Sequence, residues 1–338
     1  MADSSNNLLI VGPSWIGDMI MAQSLFICLH RWRPGVGIDV VAPAWSKPLL
    51  TRMPEVRESF ELPVKHNQLG LAARSRVAGR LRSRGYGQAI VLPLSWKAAL
   101  VPFLARIPRR TGYFGENRFW LINDRLRLDA SRDRPMVRRY LALGSPPSGR
   151  LPEEIPYPKI RVDTENRRRV IEELGLDTKR PIVGCMPGTE YGPAKAWPVD
   201  RFGEVARRLA DDGHQVWVFG SPGQHALGER IVAAAHGRAS NLCGKTRIED
   251  VVDLISLAQK VVTNDSGLMH VAGAVGTRVI AIFGSSSPRY TPPLTHSRTV
   301  RYLGLDCSPC FKRKCPLKHY RCLQEISADE VYAAARGD

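Results

Sequence analysis

Short apolar runs recur along the chain, each flanked by glycine, proline or polar residues. Those over 8–11, 38–41 and 89–92 are too short for core helices and read as buried strands. Amphipathic stretches lie between them. Residues 69–84 carry Ala73, Val77 and Leu81 at i, i+4 and i+8, which places all three on one helix face. Helices are also expected over 17–31 and 96–105. Between 145 and 158 stand Pro146, Pro147, Gly149, Pro152, Pro156 and Pro158, too many breakers for a helix or central strand, so a linker is predicted. The alternation then restarts. Strands are expected over 181–186, 215–220, 260–263 and 278–283, with helices over 199–212, 223–235, 248–258 and 267–275. Strands alternating with helices imply a parallel sheet covered on both faces. The pattern predicts an α/β chain of two Rossmann-like domains facing across a cleft.

The length, 338 residues, suits about two domains. With 43% apolar and 24% charged residues, a mainly disordered chain is excluded. No apolar run approaches the roughly 18 residues of a membrane-spanning helix. The polar start and the short run behind it predict no signal peptide, so the expected compartment is the cytosol.

Charge changes the picture more. Lys and Arg number 49 against 32 Asp and Glu, a net +17. No acidic residue occurs between Glu61 and Glu116, a stretch that holds Lys65, Arg74, Arg76, Arg80, Arg82, Arg84, Lys97, Arg106, Arg109 and Arg110. A one-signed field concentrates an anionic partner: nucleic acid, an anionic membrane surface or a phosphorylated substrate. The Arg-rich segment lacks interleaved aromatics for base stacking, which weighs against single-stranded nucleic acid.

Three loops could carry chemistry. Gly12-Pro13-Ser14-Trp15-Ile16-Gly17-Asp18-Met19 joins the first strand to the first helix, where ligands bind in open α/β sheets. Asp18-Met19 stand where a phosphate loop has Lys-Ser/Thr, so triphosphate binding is not expected. Asp18 reads either as a general base or as a cap on the helix. In Asn264-Asp265-Ser266-Gly267-Leu268-Met269-His270 a strand ends and a helix opens. The free N–H groups of a helix start suit a pyrophosphate, and His270 lies one turn in. The bland reading is an Asp/Ser cap beside a half-buried histidine. The loop from Pro187 to Pro198 offers the Thr189 hydroxyl and the Lys195 ammonium for a diphosphate. Cys28, Cys185 and Cys243 sit among apolar neighbours and read as buried small hydrophobes. Cys307, Cys310, Cys315 and Cys322 cluster in 16 residues. They read as a structural zinc site, or else as free thiols or redox-labile pairs, with no catalytic part.

Gly17-Asp18, the Gly188…Lys195-x-Trp197-Pro198 loop and Asn264-Asp265-Ser266-Gly267-x-x-His270 together resemble glycosyltransferase family 9, the bacterial lipopolysaccharide heptosyltransferases. The Gly192-Pro193-Ala194-Lys195 and Cys307-Ser308-Pro309-Cys310-Phe311 segments strengthen the likeness. The resemblance implies a GT-B architecture. It also implies inverting, metal-independent transfer of L-glycero-D-manno-heptose from ADP-heptose to the first heptose of Hep-Kdo2-lipid A. By position, Asp18 would be the general base. Lys195 and the helix start at Asp265, Ser266 and Gly267 would meet the leaving diphosphate. Thr189 and His270 would line the same donor pocket, and Thr246 would lie near the adenine. Lys97 and Arg125 would face the acidic acceptor. No catalytic cofactor is implied, nor a nucleic-acid partner, and the enzyme would dock on the cytoplasmic face of the inner membrane. Residues 1–160 would bind acceptor and 161–325 the nucleotide sugar. A C-terminal helix in 326–338 is expected to pack back on the N-terminal domain.

Overall fold

The computed structural model describes residues 7–64, 68–129, 135–146 and 149–337. Lys65 of the acid-free stretch and Pro147 of the linker lie outside them. The chain divides into two compact units, Met1–Ile160 and Arg161–Asp338.

The N-terminal unit runs β1 (Asn7–Val11), α1 (Ile16–Trp32), β2 (Gly37–Ala42), α2 (Lys47–Leu50), β3 (Val56–Glu61), α3 (Leu71–Arg82), β4 (Gln88–Val91), α4 (Leu100–Leu104), β5 (Arg109–Tyr113), β6 (Asp124–Leu126) and α5 (Val137–Gly144). Its six strands form one parallel sheet in the order β3-β2-β1-β4-β5-β6. The expected helix over 96–105 is a 3₁₀ turn at Trp96–Ala99 followed by α4. One face is filled by Leu9, Val41 and Ala89 packing on Val77 and Leu81 of α3. On α5, a Cβ at Gly144 would stand 2.5 Å from Leu25 Cδ1, so a larger residue there would make the leucines of α1 shift.

The C-terminal unit runs α6 (Thr164–Leu174), β7 (Ile182–Met186), α7 (Val199–Asp211), β8 (Gln215–Val218), α8 (His225–Ala234), β9 (Ala239–Asn241), α9 (Ile248–Ile255), β10 (Ala258–Asn264), α10 (Gly267–Ala274), β11 (Arg278–Ile282), β12 (Arg298–Arg301), α11 (Arg321–Gln324) and α12 (Ala328–Arg336). Its sheet is also parallel, in the order β12-β11-β10-β7-β8-β9. Both orders reverse beside the first strand of the unit, between β1 and β4 and between β7 and β10. Such switch points open crevices at the strands' carboxyl ends.

Within the C-terminal unit, Val331, Ala334 and Ala335 of α12 are buried with Phe202, Val205 and Leu209 of α7. Part of the basic surplus in the N-terminal unit is taken up by internal partners. Arg74 is buried, and its Nε and Nη1 donate to the Leu69 and Lys97 carbonyls. Arg84 pairs with Glu58, Arg109 with Asp124, and Arg110 donates to the Ile107 and Leu121 carbonyls. These arginines hold loops and edges. Among the described residues no helix is long and apolar enough to cross a membrane.

Candidate functional site: a carboxylate loop and an anion cradle at two switch points

In the N-terminal unit β1 delivers the chain to a Gly-Pro turn. The Gly12 N–H donates to the Val41 carbonyl at 2.9 Å, so the loop leaves over the switch point. A Cβ at Gly12 would stand 2.8 Å from Met19 Cε, which explains the small residue. Helix α1 begins at Ile16 after Trp15, so half-buried Asp18 lies inside the first turn and not at the N-cap. Lys97 follows β4 on the other side of the same switch point. Arg125 is set apart from both, on edge strand β6, where it lines a small recess with Tyr113, Phe114 and Phe119.

The C-terminal unit brings its charged residues together. Lys195 follows β7 and Asp265 follows the neighbouring β10. Lys195 Nζ lies 2.5 Å from Asp265 Oδ2, with the two side chains 17% and 5% exposed. The ammonium also stands 4.8 Å from the centre of the Tyr191 ring. The Thr291 hydroxyl approaches Asp265 at 3.4 Å. Behind the pair, buried Asn264 clips the loop in place: its Nδ2 donates to the Pro187 carbonyl at 2.7 Å, and its Oδ1 accepts from the Trp197 N–H at 3.0 Å. A Lys ammonium has three donors, and one is spent on Asp265.

Ser266 is the N-cap of α10 in extended conformation, but its side chain does not cap the helix; it lies 3.4 Å from the Thr263 hydroxyl. The N–H groups of the Gly267 turn therefore keep their anion-binding character. His270, one turn on, is 5% exposed, and its Nδ1 has no hydrogen-bond partner among the described residues. Burial pushes its pKa down to about 4, with Asp265 opposing and Lys195 assisting. It is neutral at pH 7 and offers a hydrogen bond, not a charge. Thr189 stands in the Lys195 loop, with its hydroxyl engaged by Gly192. Thr246 is farther off, in the turn after outer strand β9.

The His270 shift has a consequence for stability. The folded pKa lies below the ordinary value near 6.5, so the unfolded chain binds the extra proton between these values. Stability contributed by neutral His270 is complete above pH 6.5 and is lost as pH falls toward about 4. The loss is at most about 3 kcal/mol. Chemical denaturation of wild type and His270→Gln across this range should show a shallower acid slope in the variant. Equal slopes would contradict the burial argument.

The cysteine segment also has a part in the fold. Among the described residues no group of three or more His, Cys, Asp or Glu side chains is arranged to hold a metal ion. Cys322 is buried in the C-terminal core while Cys307 is exposed, and all seven cysteines are free thiols. The segment braces the Lys195 loop. Tyr191 Oη donates to the Phe311 carbonyl at 2.6 Å, and Arg313 Nε donates to the Tyr191 carbonyl at 2.7 Å. The Ala194 N–H reaches the Arg313 carbonyl at 3.2 Å. Gly192 has φ +145°, and a Cβ there would stand 2.6 Å from the Arg313 oxygen. Burial raises the Cys315 thiol, but the backbone N–H groups of Tyr320, Leu317, His319 and Lys318 outweigh it and hold the pKa below its ordinary value. The sequence reading gave Asn264 no role of its own within the motif and missed Thr291 and Arg313 as site residues. Asn264 adjoins Asp265 in the motif, whereas Arg313 offers no signal of its own.

Two doubly wound units, with a carboxylate loop at one switch point and an anion cradle at the other, define the GT-B class of glycosyltransferases. The comparisons agree. The pattern of glycosyltransferase family 9 (heptosyltransferase) matches residues 74–321. Lipopolysaccharide heptosyltransferase 2 of Salmonella typhimurium is 43% identical over 306 residues, covering 88% of each chain. Lipooligosaccharide heptosyltransferase 2 of Haemophilus influenzae is 43% identical over 305 residues, 87% of this chain and 88% of that one. The structure of Escherichia coli ADP-heptose lps heptosyltransferase II superposes with a TM-score of 0.86 at 38% identity, covering 97% of both chains. The chain belongs to glycosyltransferase family 9, the heptosyltransferases.

Proposed function

We propose that this chain transfers L-glycero-D-manno-heptose from ADP-heptose to the first heptose of Hep-Kdo2-lipid A, with inversion and without a metal ion. The observation that carries the donor half is the Lys195–Asp265 pair beside the start of α10. The relatives' names, lipopolysaccharide and lipooligosaccharide heptosyltransferase 2, support the acceptor half.

In this reading Asp18 takes the proton of the acceptor hydroxyl as its oxygen attacks the anomeric carbon. The bond to the diphosphate breaks on the opposite face, so configuration inverts, through sugar-cation character like that of glycoside hydrolysis. Charge grows on the departing ADP. The remaining Lys195 donors and the N–H groups of Ser266 and Gly267 meet it, which supplies the cation a metal would otherwise provide. Asp265 aims the ammonium. Neutral His270 donates to or accepts from the donor without adding charge, and Thr246 flanks the adenine. Lys97 and Arg125 attract the acidic inner core, and the enzyme works at the cytoplasmic face of the inner membrane. The test is the anomeric configuration of the product made in EDTA, read by NMR. Retention, or a rate that collapses with EDTA, would refute inversion or metal independence respectively.

A further inference from the structure

A band of exposed apolar side chains in the N-terminal unit projects from loops that buried cations tie to one another. Trp120 is 86% exposed, and Phe114, Phe119, Leu94, Trp96 and Leu69 are each at least 38% exposed. They come from three loops: before α3, after β4, and in the crossover from β5 to β6. Phe114 and Phe119 pack edge to face at 5.0 Å. Arg118, 2% exposed, ties the crossover to the loop after β4: its Nε donates to the Tyr113 carbonyl at 2.9 Å and its Nη1 to the Pro93 carbonyl at 2.8 Å. Arg74, 6% exposed, ties Leu69 to the Lys97 turn in the same way, at 2.7 and 2.9 Å. Burying a guanidinium is expensive. Here two of them fix the loops from which these side chains project. Exposed apolar side chains gathered on loops tied together in this way mark a contact site.

The charge around the band has one dominant sign. Arg125 lines the recess under Phe114 and Phe119, and Lys97 adjoins Trp96. Of the neighbouring carboxylates, Asp124 is matched by Arg109 at 2.8 Å, while Glu116, which accepts from the Trp96 N–H at 3.0 Å, keeps its charge against those of Lys97, Arg125 and buried Arg118. Trp and Phe beside Lys and Arg is the composition that seats in the headgroup layer of an anionic bilayer.

We infer that this band is the surface by which the protein docks on an anionic lipid bilayer, with Phe119 and Trp120 entering the headgroup region. The inference rests on the proposed acceptor only in that a lipid-linked acceptor gives such docking a purpose.

The test is co-sedimentation of the full chain with phosphatidylcholine vesicles, with and without phosphatidylglycerol, at low and high salt. No donor or acceptor is present, so the result is independent of the transferase reading. Wild type should bind the anionic vesicles at low salt, and Phe119→Ser/Trp120→Ser should lose at least about tenfold in binding. Brominated lipids should quench wild-type tryptophan fluorescence more than that of Trp120→Ser. Transfer to a water-soluble, deacylated acceptor should be equal in wild type and Trp120→Ser, which leaves the Phe119–Arg125 recess intact. Failure of wild type to bind anionic vesicles would overturn the inference, as would undiminished binding by the variants. So would a concentration-dependent dimer that the double variant abolishes, since a second copy would then cover the band. Loss of soluble transfer in Trp120→Ser would place the band in acceptor binding and likewise overturn it.

Discussion

Asp18→Asn should lower kcat for heptose transfer by about two to four decades, the range for removing a positioned general base. Asn keeps the size of the side chain and most of its polarity but cannot take the proton. The expected fall is therefore in kcat, with KM for ADP-heptose little changed. Folding should be nearly untouched. Asp18 is inside the first turn of α1 and not at its N-cap, so it adds at most a helix-dipole contribution of about 1 kcal/mol. Steady-state kinetics beside a denaturation curve separate the two roles. A full-rate, destabilised variant would mean that Asp18 serves only the helix and that the base lies elsewhere.

Lys195→Met should be as damaging, for a reason that divides into two parts. The first is chemical. Losing a preorganised donor to developing charge costs about 10²–10³ in rate. The second is structural. Asp265, 5% exposed, is left without its cation. Breaking a buried pair from one side costs roughly 3–5 kcal/mol. The double variant Lys195→Met/Asp265→Asn separates them: removing the stranded charge should restore stability, while the rate stays low. If the double variant recovered both, Lys195 would be structural and the diphosphate would be met by other groups.

What could be read from the sequence follows from burial. Strands β1, β2, β4, β7, β8, β10 and β11 lie inside their sheets and each carries a short buried apolar stretch, so they stand out. The outer strands do not. β3 is Val-Arg-Glu-Ser-Phe-Glu, β6 is Asp-Arg-Leu and β12 is Arg-Thr-Val-Arg, each half solvated. Strand β3 is held to its sheet by a pairing that no pattern announces: Arg57 grips buried Asp39 of β2 through Nε at 2.9 Å and Nη2 at 2.6 Å. Interior strand β5 was hidden by its opening Arg109-Arg110.

The site divides in the same way. Asp265, Ser266, Gly267 and His270 are contiguous, and Lys195 lies in a glycine- and proline-marked loop, so each was visible as a candidate. Their meeting was not, because it depends on β7 and β10 being neighbours. The support of Tyr191 and Lys195 by Arg313 and Phe311 spans about 120 residues, beyond any local pattern. The four clustered cysteines drew attention to that segment through metal chemistry. Its backbone, which fits against Gly192 and Ala194, is what the donor loop uses.

The most direct test of the account is transfer of heptose from ADP-heptose to purified Hep-Kdo2-lipid A by the wild-type chain, followed by mass and anomeric configuration of the product. The account predicts one added heptose, on the first heptose of the acceptor, with configuration inverted relative to the donor. ADP binding without any transfer to this acceptor would contradict it.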